Sequence, residues 1–302
     1  SYVRQGIDGF PIVAFWNDGT NVQFLGKYNF NNDKSTAEVF GFREGDESWE
    51  IRNNTSARSM FKSADFSGTA WLEDFEGRYP DGNTDPAALQ RLAEWLVSTD
   101  QEQATGNPIT SVTYDGVTYT SDTAAYRLAK FKAEADDWLE MDSIIFSYIF
   151  TELFLLVDSR AKNNFPTFYV GGKWCVLPYD MDTAIGTNNE GLLVFDYNLE
   201  DIDTVSGSNV YNGQDSVLYI NTRDAFGDRI EEMYKTLRSG SVLTYENVEK
   251  RFEDHQALWP EAIFNEDAYY KYIDPLIEDG EATYLSMCQG SKESQRKWWL
   301  FN

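Results

Sequence analysis

LLVDSRAKNN (residues 155–164) and WCVLPYDMDTAIG (174–186) decide how this chain reads. Upstream of the first stretch, Ile144, Ile145, Tyr148, Ile149 and Leu153 recur at spacings of three and four, the period of one helix face. The run from Leu153 to Val157 is apolar on every side, so the end of that helix must be buried. A buried helix therefore delivers the chain into a loop carrying Asp158, Arg160, Asn163 and Asn164. TFYV (167–170) and KWCVLPYD (173–180) flank Gly171-Gly172, which predicts a hairpin whose end presents Asp180 and Asp182.

Outward from this centre, GFPIVAFW (9–16) and VQFLGKYNF (22–30) read as strands joined by the turn-forming NDGTN, within a strand-rich region reaching residue 42. Residues 43–85 read as loops and short strands. A helix is predicted over 86–98, with Asp85 as N-cap, Pro86 in the first turn, and Leu89, Leu92, Ala93 and Leu96 on one face. ITSVTYDGVTYTS (109–121) alternates around Asp115-Gly116 as a second hairpin. Helices follow to about Glu140 and from Asp142 through Val157. Residues 186–222 are of low regularity, and further helices are predicted at about 224–238, 244–258, 266–278 and 291–301. Strands first and helices later make an α+β chain. The expectation is a small β-rich N-terminal lobe over 1–85, incomplete at its start, and a larger, mainly helical lobe over 86–302.

The 302 residues are 42% hydrophobic and 16% aromatic, enough to build a sizeable core. The formal net charge of −25 opposes nonspecific nucleic-acid binding, because phosphates meet repulsion over most of the surface. Any polyphosphate ligand then needs a divalent metal or a local basic cluster. Cys175 and Cys288 make no disulfide framework or zinc spacing, and the lone His255 sits in a charged helical stretch as a surface residue. There is no signal peptide and no apolar run near the length of a membrane span. Both ends read as cut from a longer polypeptide, leaving location open between cytoplasm and virion.

Phosphoryl transfer needs a carboxylate near the attacking hydroxyl and hard oxygen ligands for Mg²⁺. Asp158 and Asn163 have the D-x-x-x-x-N spacing of the protein-kinase catalytic loop, where Asp orients the nucleophile and Asn holds metal. Arg160 lies two residues after the Asp, where a cation commonly faces the transferred phosphate. A carboxylate ending the following hairpin would supply the ligand that kinases take from their DFG Asp. Read singly, Asp158 is also an ordinary helix-end loop residue, Asn163 an ordinary turn residue, and Asp180 and Asp182 an ordinary polar turn. The ordered combination is what carries the reading.

MDSIIFSYIFTELFLLVDSRAKNN (141–164) and KWCVLPYDMDTAIG (173–186) closely resemble the spore-coat CotH kinase family, in which a "D-r-x-x-N" loop precedes a "W-x-f-i-P-W-D-x-D-…-G" hairpin. LGKY (25–28) resembles the family's "G-x-Y" strand more weakly, and GSKESQRKWWLFN (290–302) is of a type associated with CotH-like domains of phage proteins. The resemblance implies an atypical protein-kinase-like fold that uses ATP and Mg²⁺ to phosphorylate Ser or Thr of a protein. It implies Asp158 as catalytic Asp, Asn163 as metal or loop-bracing residue, Asp180 as the main Mg²⁺ ligand and Asp182 as a second one. The chain departs from the family where GKYNFNN (26–32) lacks the acidic residue expected after "G-x-Y", and where Tyr179 replaces Trp. The usual phosphate-contacting Lys is not evident before residue 9; Lys27 and Lys34 are the candidates to replace it.

Two other classes of function stay open. One is a non-catalytic, kinase-fold binding or structural module of a phage virion or surface protein. The other is a D-x-D glycosyltransferase, disfavoured because alternating β-α units do not precede the motif. A calcium loop counted from Asp180 lacks its sixth-position Gly and twelfth-position Glu.

Overall fold

The computed structural model describes residues 9–51, 70–97, 111–114, 116–120, 124–156, 159–160, 163–181, 184–185, 216–240 and 242–258. Within them the chain is mixed α+β, with a small antiparallel sheet and several helices. In chain order the elements are β1 (Gly9–Asn17), β2 (Val22–Asn31), α1 (Ala37–Phe40), β3 (Glu47–Ile51) and β4 (Phe75–Tyr79). Next come α2 (Ala87–Val97), β5 (Ser111–Tyr114), β6 (Val117–Thr120), α3 (Ala124–Trp138) and α4 (Met141–Leu153). The last are β7 (Asn164–Phe168), β8 (Trp174–Pro178), α5 (Val217–Ala225), α6 (Gly227–Ser239) and α7 (Tyr245–Ala257).

Three hairpin turns act as the sequence predicts. β1 pairs with β2, β5 with β6, and β7 with β8, the last with Phe168 opposite Trp174 and Asn164 opposite Pro178. Gly171 takes φ +80°, the left-handed conformation that a tight turn demands and a side chain resists. At the start of α2, Asp85 Oδ1 accepts the Ala87 N–H at 3.1 Å, with Pro86 between them immediately before the helix.

The principal sheet is four-stranded in the order β4-β3-β7-β8. It joins strands from both sides of residue 85, since Glu47 and Ser48 of β3 pair with Phe168 and Thr167 of β7. Period-two alternation sorts its side chains into two layers. Trp49, Ile51, Trp174 and Val176 enter the larger core with α2, α3, α4, α5 and Leu237 of α6. Leu89, Leu92, Ala93 and Leu96 are all buried there, and each leucine contributes on the order of 1.5–3 kcal/mol by leaving water. Phe165, Cys175 and Leu177 point the other way, against Phe40 and Phe42 around α1. The sheet is thus covered on both faces, which is why β8 reads as a nearly unbroken apolar run.

Some elements differ from the sequence reading. Residues 32–42 hold no strand; the chain makes the single turn α1 instead. α5 begins at Val217, inside the stretch predicted irregular, because Leu218, Tyr219 and Thr222 bury one face despite polar neighbours. α4 ends at Leu153 rather than Val157. The helices predicted at 266–278 and 291–301, and most of 186–222, lie outside the described residues. His255 is exposed on α7 as expected. Among the described residues no helix is long and apolar enough to cross a membrane.

Candidate functional site

The helix end that delivers the loop is a closed cap. Leu156 N–H donates to Thr151 O at 3.0 Å and Leu155 N–H to Glu152 O at 3.2 Å, the paired bonds of a Schellman motif. The motif needs a left-handed residue, usually Gly; here it is Leu155, at φ 45° and fully buried. A side chain in that conformation costs about 1–2 kcal/mol, which burial of the leucine offsets. Four non-glycine residues have positive φ among the described ones: Leu155, Asn163, Asp180 and Ile185. All four fall in the two stretches 155–164 and 174–186. Backbone strain concentrated in this way marks a place where the surroundings over-determine the chain.

The two stretches are bonded together. Asn163 Nδ2 donates to the Asp180 carbonyl at 3.1 Å, and Tyr179 N–H donates to the Asn163 carbonyl at 3.0 Å. Ile185 N–H donates to Phe154 O at 2.6 Å, so the chain beyond the hairpin folds back onto the end of α4. Asn163 is buried whereas Asp180 is exposed. A buried amide therefore sets the backbone of a solvent-facing carboxylate.

A charged group lies beside this junction, on the sheet face that packs against α1. Lys34, from the turn before α1, pairs with Glu50 of β3 at 2.7 Å. Its Nζ stands 5.1 Å from the ring centre of Tyr179 and 6.0 Å from that of Phe165. Arg78 of β4 bonds the same Glu50 and also Glu76, at 2.9 Å. Glu50 and Glu76 oppose each other across the β3–β4 ladder, so Arg78 offsets their repulsion. Burial pushes the Tyr179 phenol above its usual pKa, and the carboxylates of Asp180, Glu50 and Asp33 add to the shift. The candidate Lys34 thus reaches the strand end that carries Asp180. Lys27 sits on β2 opposite Val13, and its side chain is outside the described ones.

No family model matches this chain, and no curated protein does.

Arg160 was expected to face the transferred phosphoryl group. The structure turns its guanidinium inward instead. Nε donates to Thr151 Oγ1 at 2.9 Å and Nη2 to Glu152 at 2.6 Å, both on the last turns of α4. Tyr148 and Tyr219 flank it, with its Cζ 4.8 and 5.0 Å from their ring centres. Only 5% of the side chain is exposed, so this cation braces the helix–loop junction. Next along β7, Asn164 Nδ2 donates to Tyr219 Oη at 2.6 Å, tying the loop to α5.

Asp158 and Asp182 lie outside the described residues. Among the described ones, no group of three or more His, Cys, Asp or Glu is placed to hold a metal. The chemistry of the described part still suits Mg²⁺, since the exposed Asp180 carboxylate and the Asn163 amide oxygen are hard donors; the bond between the two residues runs from Asn163 Nδ2 to the Asp180 backbone carbonyl and uses neither donor. Sequence reading missed Glu50, Arg78 and Tyr219. For Glu50 a signal existed, since Trp49 and Ile51 facing the core leave the residue between them on the opposite face.

Proposed function

We propose that this chain is a CotH-like, protein-kinase-type phosphotransferase that transfers phosphate from ATP to Ser or Thr of a protein. The observation that supports it most is the bonded pair Asn163–Asp180 with the Lys34–Glu50 ion pair beside it. Kinase sites combine an Asn and an Asp that hold metal with a Lys that meets the phosphates and is held by a Glu. In this reading Asp180, Asn163 and Asp182 would hold Mg²⁺, which would supply charge to screen the phosphates. Lys34 binds the phosphates, while Glu50 and Tyr179 position it. Asp158 orients the acceptor hydroxyl and takes its proton as oxygen bonds to the γ-phosphorus and ADP leaves. Arg160 positions the loop from within and does not touch substrate.

The test is transfer of labelled phosphate from Mg-ATP to a protein acceptor. Asp180→Asn abolishes it, with the circular dichroism and melting of the wild type retained, because the side chain is exposed and asparagine tolerates the left-handed backbone at φ 50°. Undiminished transfer by that variant rejects the assignment.

A second reading rests on the β1–β2 hairpin, where Phe10, Phe15, Trp16 and Phe30 are each more than half exposed. An aromatic surface of that kind suits a non-catalytic binding module of a virion or surface protein. Thermal melting with Mg-ATP separates the two. Nucleotide at 100 times its Kd adds about 2.7 kcal/mol to a kinase, and adds nothing to a module without a nucleotide site.

A further inference from the structure

Beneath the strained junction lies a small cavity whose lining includes Ser143, Ser147, Leu156, Ser159, Asn164 and Val176. About 20 Å³ of it is open to the centre of a water molecule. Two polar atoms of lining residues have no hydrogen-bond partner among the described residues: Ser159 Oγ and Asn164 Oδ1. Both residues are almost wholly buried, at 4% and 2% exposure. The rest of the Asn164 amide is engaged, since Nδ2 donates to Tyr219 Oη at 2.6 Å and reaches Ser159 O at 3.5 Å. Turning the amide over would move the deficit from oxygen to nitrogen without removing it. The Ser147 hydroxyl is already shared with Tyr219 Oη, at 3.2 Å.

We infer that this cavity is a binding site for one structural water, which donates to Asn164 Oδ1 and bonds Ser159 Oγ. Three facts converge on it. Unpaired buried polar atoms cost about 1–3 kcal/mol each, so a fold that keeps two of them on residues lining one space has a partner for them there. A site for one water needs at least about 10–15 Å³ of such volume and two to four polar partners. This cavity meets the first requirement with little to spare, and Ser159 and Asn164 supply two partners. An ion is disfavoured because no charged side chain among the described residues lines the space. The water would pin Ser159, in the loop after α4, to Asn164 at the start of β7. It fixes the separation of these two residues, and it does so whether or not the chain transfers phosphate.

A crystal structure of the full chain at about 1.8 Å or better is expected to show one density peak within about 3.2 Å of both atoms. In solution, the water–protein NOE to the Asn164 side-chain amide is expected to carry the sign of a water bound for longer than nanoseconds. Ser159→Ala, which removes one partner, is expected to weaken that cross-peak at least several-fold while leaving the amide resonance in place. An empty cavity overturns the inference, as does a direct Ser159–Asn164 hydrogen bond or an amide with no water cross-peak.

Discussion

Replacing Glu50 tests the charged group beside the site most directly, because one carboxylate there serves two cations. Glu50→Gln keeps the shape, leaves one acceptor oxygen, and removes the charge from between Lys34 and Arg78. Two unit charges near 4 Å attract by about 1 kcal/mol in water and about 4 kcal/mol at an effective dielectric of 20. The Lys34 and Glu50 side chains are 21% and 11% exposed, so the pair belongs between those limits. Holding the lysine in one rotamer subtracts part of the gain. A coupling of about 1.5 kcal/mol between Lys34 and Glu50 follows, and a total loss of about 2–3 kcal/mol for Glu50→Gln, since Arg78 loses a partner too. Arg78 keeps Glu76 at 2.9 Å, which holds the loss below that of a wholly buried charge. The assay is urea unfolding of wild type, Glu50→Gln, Lys34→Met and the double variant. Single effects that simply add, to within about 0.3 kcal/mol, would refute the claim that these groups interact.

Asn163→Ala is expected to cost about 2–3 kcal/mol in the same assay, because it loses the bond to Asp180 O and places alanine in the left-handed region. Asn163→Gly restores the backbone freedom and should recover about 1 kcal/mol of that; equal losses for the two variants would contradict it. Arg160→Lys should lower stability by about 1–2 kcal/mol, since an ammonium cannot bond Thr151 and Glu152 together while lying between two rings. A neutral result would mean that the guanidinium is not the brace described. Burial holds the Glu47 carboxyl above its usual 4.5, although the Trp49 indole N–H donates to it and opposes the shift. The folded state then keeps this proton to higher pH than the unfolded chain, so Glu47 costs stability as pH rises through the raised value. Glu47→Gln should be at least as stable as wild type at neutral pH. That advantage should vanish as pH falls below 4.5, and an advantage unchanged across pH would contradict it.

What the sequence disclosed was mostly local. Asp85-Pro86 before an apolar face, and Gly171-Gly172 between β-rich runs, are complete instructions within a few residues, and α2 and the β7–β8 hairpin follow them. The end of α4 was not legible, because Leu155 looks like helix interior and only the Schellman bonds show it in the left-handed conformation. α5 was hidden by the polar residues around Leu218 and Tyr219, whose burial comes from α3, α4 and Asn164 rather than from their own segment. At the site, motif spacing pointed to Asn163 and Asp180, whereas Lys34 was named with Lys27 only as a nearby lysine. Spacing could not find Glu50 or Arg78, which meet Lys34 only through strand pairing. Nor could spacing show which way Arg160 turns, since that depends on two tyrosines at positions 148 and 219.

The pairing of β3 with β7 governs how the chain can be made and divided. Ser48 and Thr167 share a hydroxyl hydrogen bond at 2.9 Å across 119 positions of sequence. During synthesis, Trp49 and Ile51 must wait for more than a hundred further residues before the neighbour that completes their sheet leaves the ribosome. A fragment ending at residue 85 would hold β3 and β4 as a bare ribbon with an open edge, prone to joining other ribbons. Expression of any shortened version should therefore retain everything through Pro178.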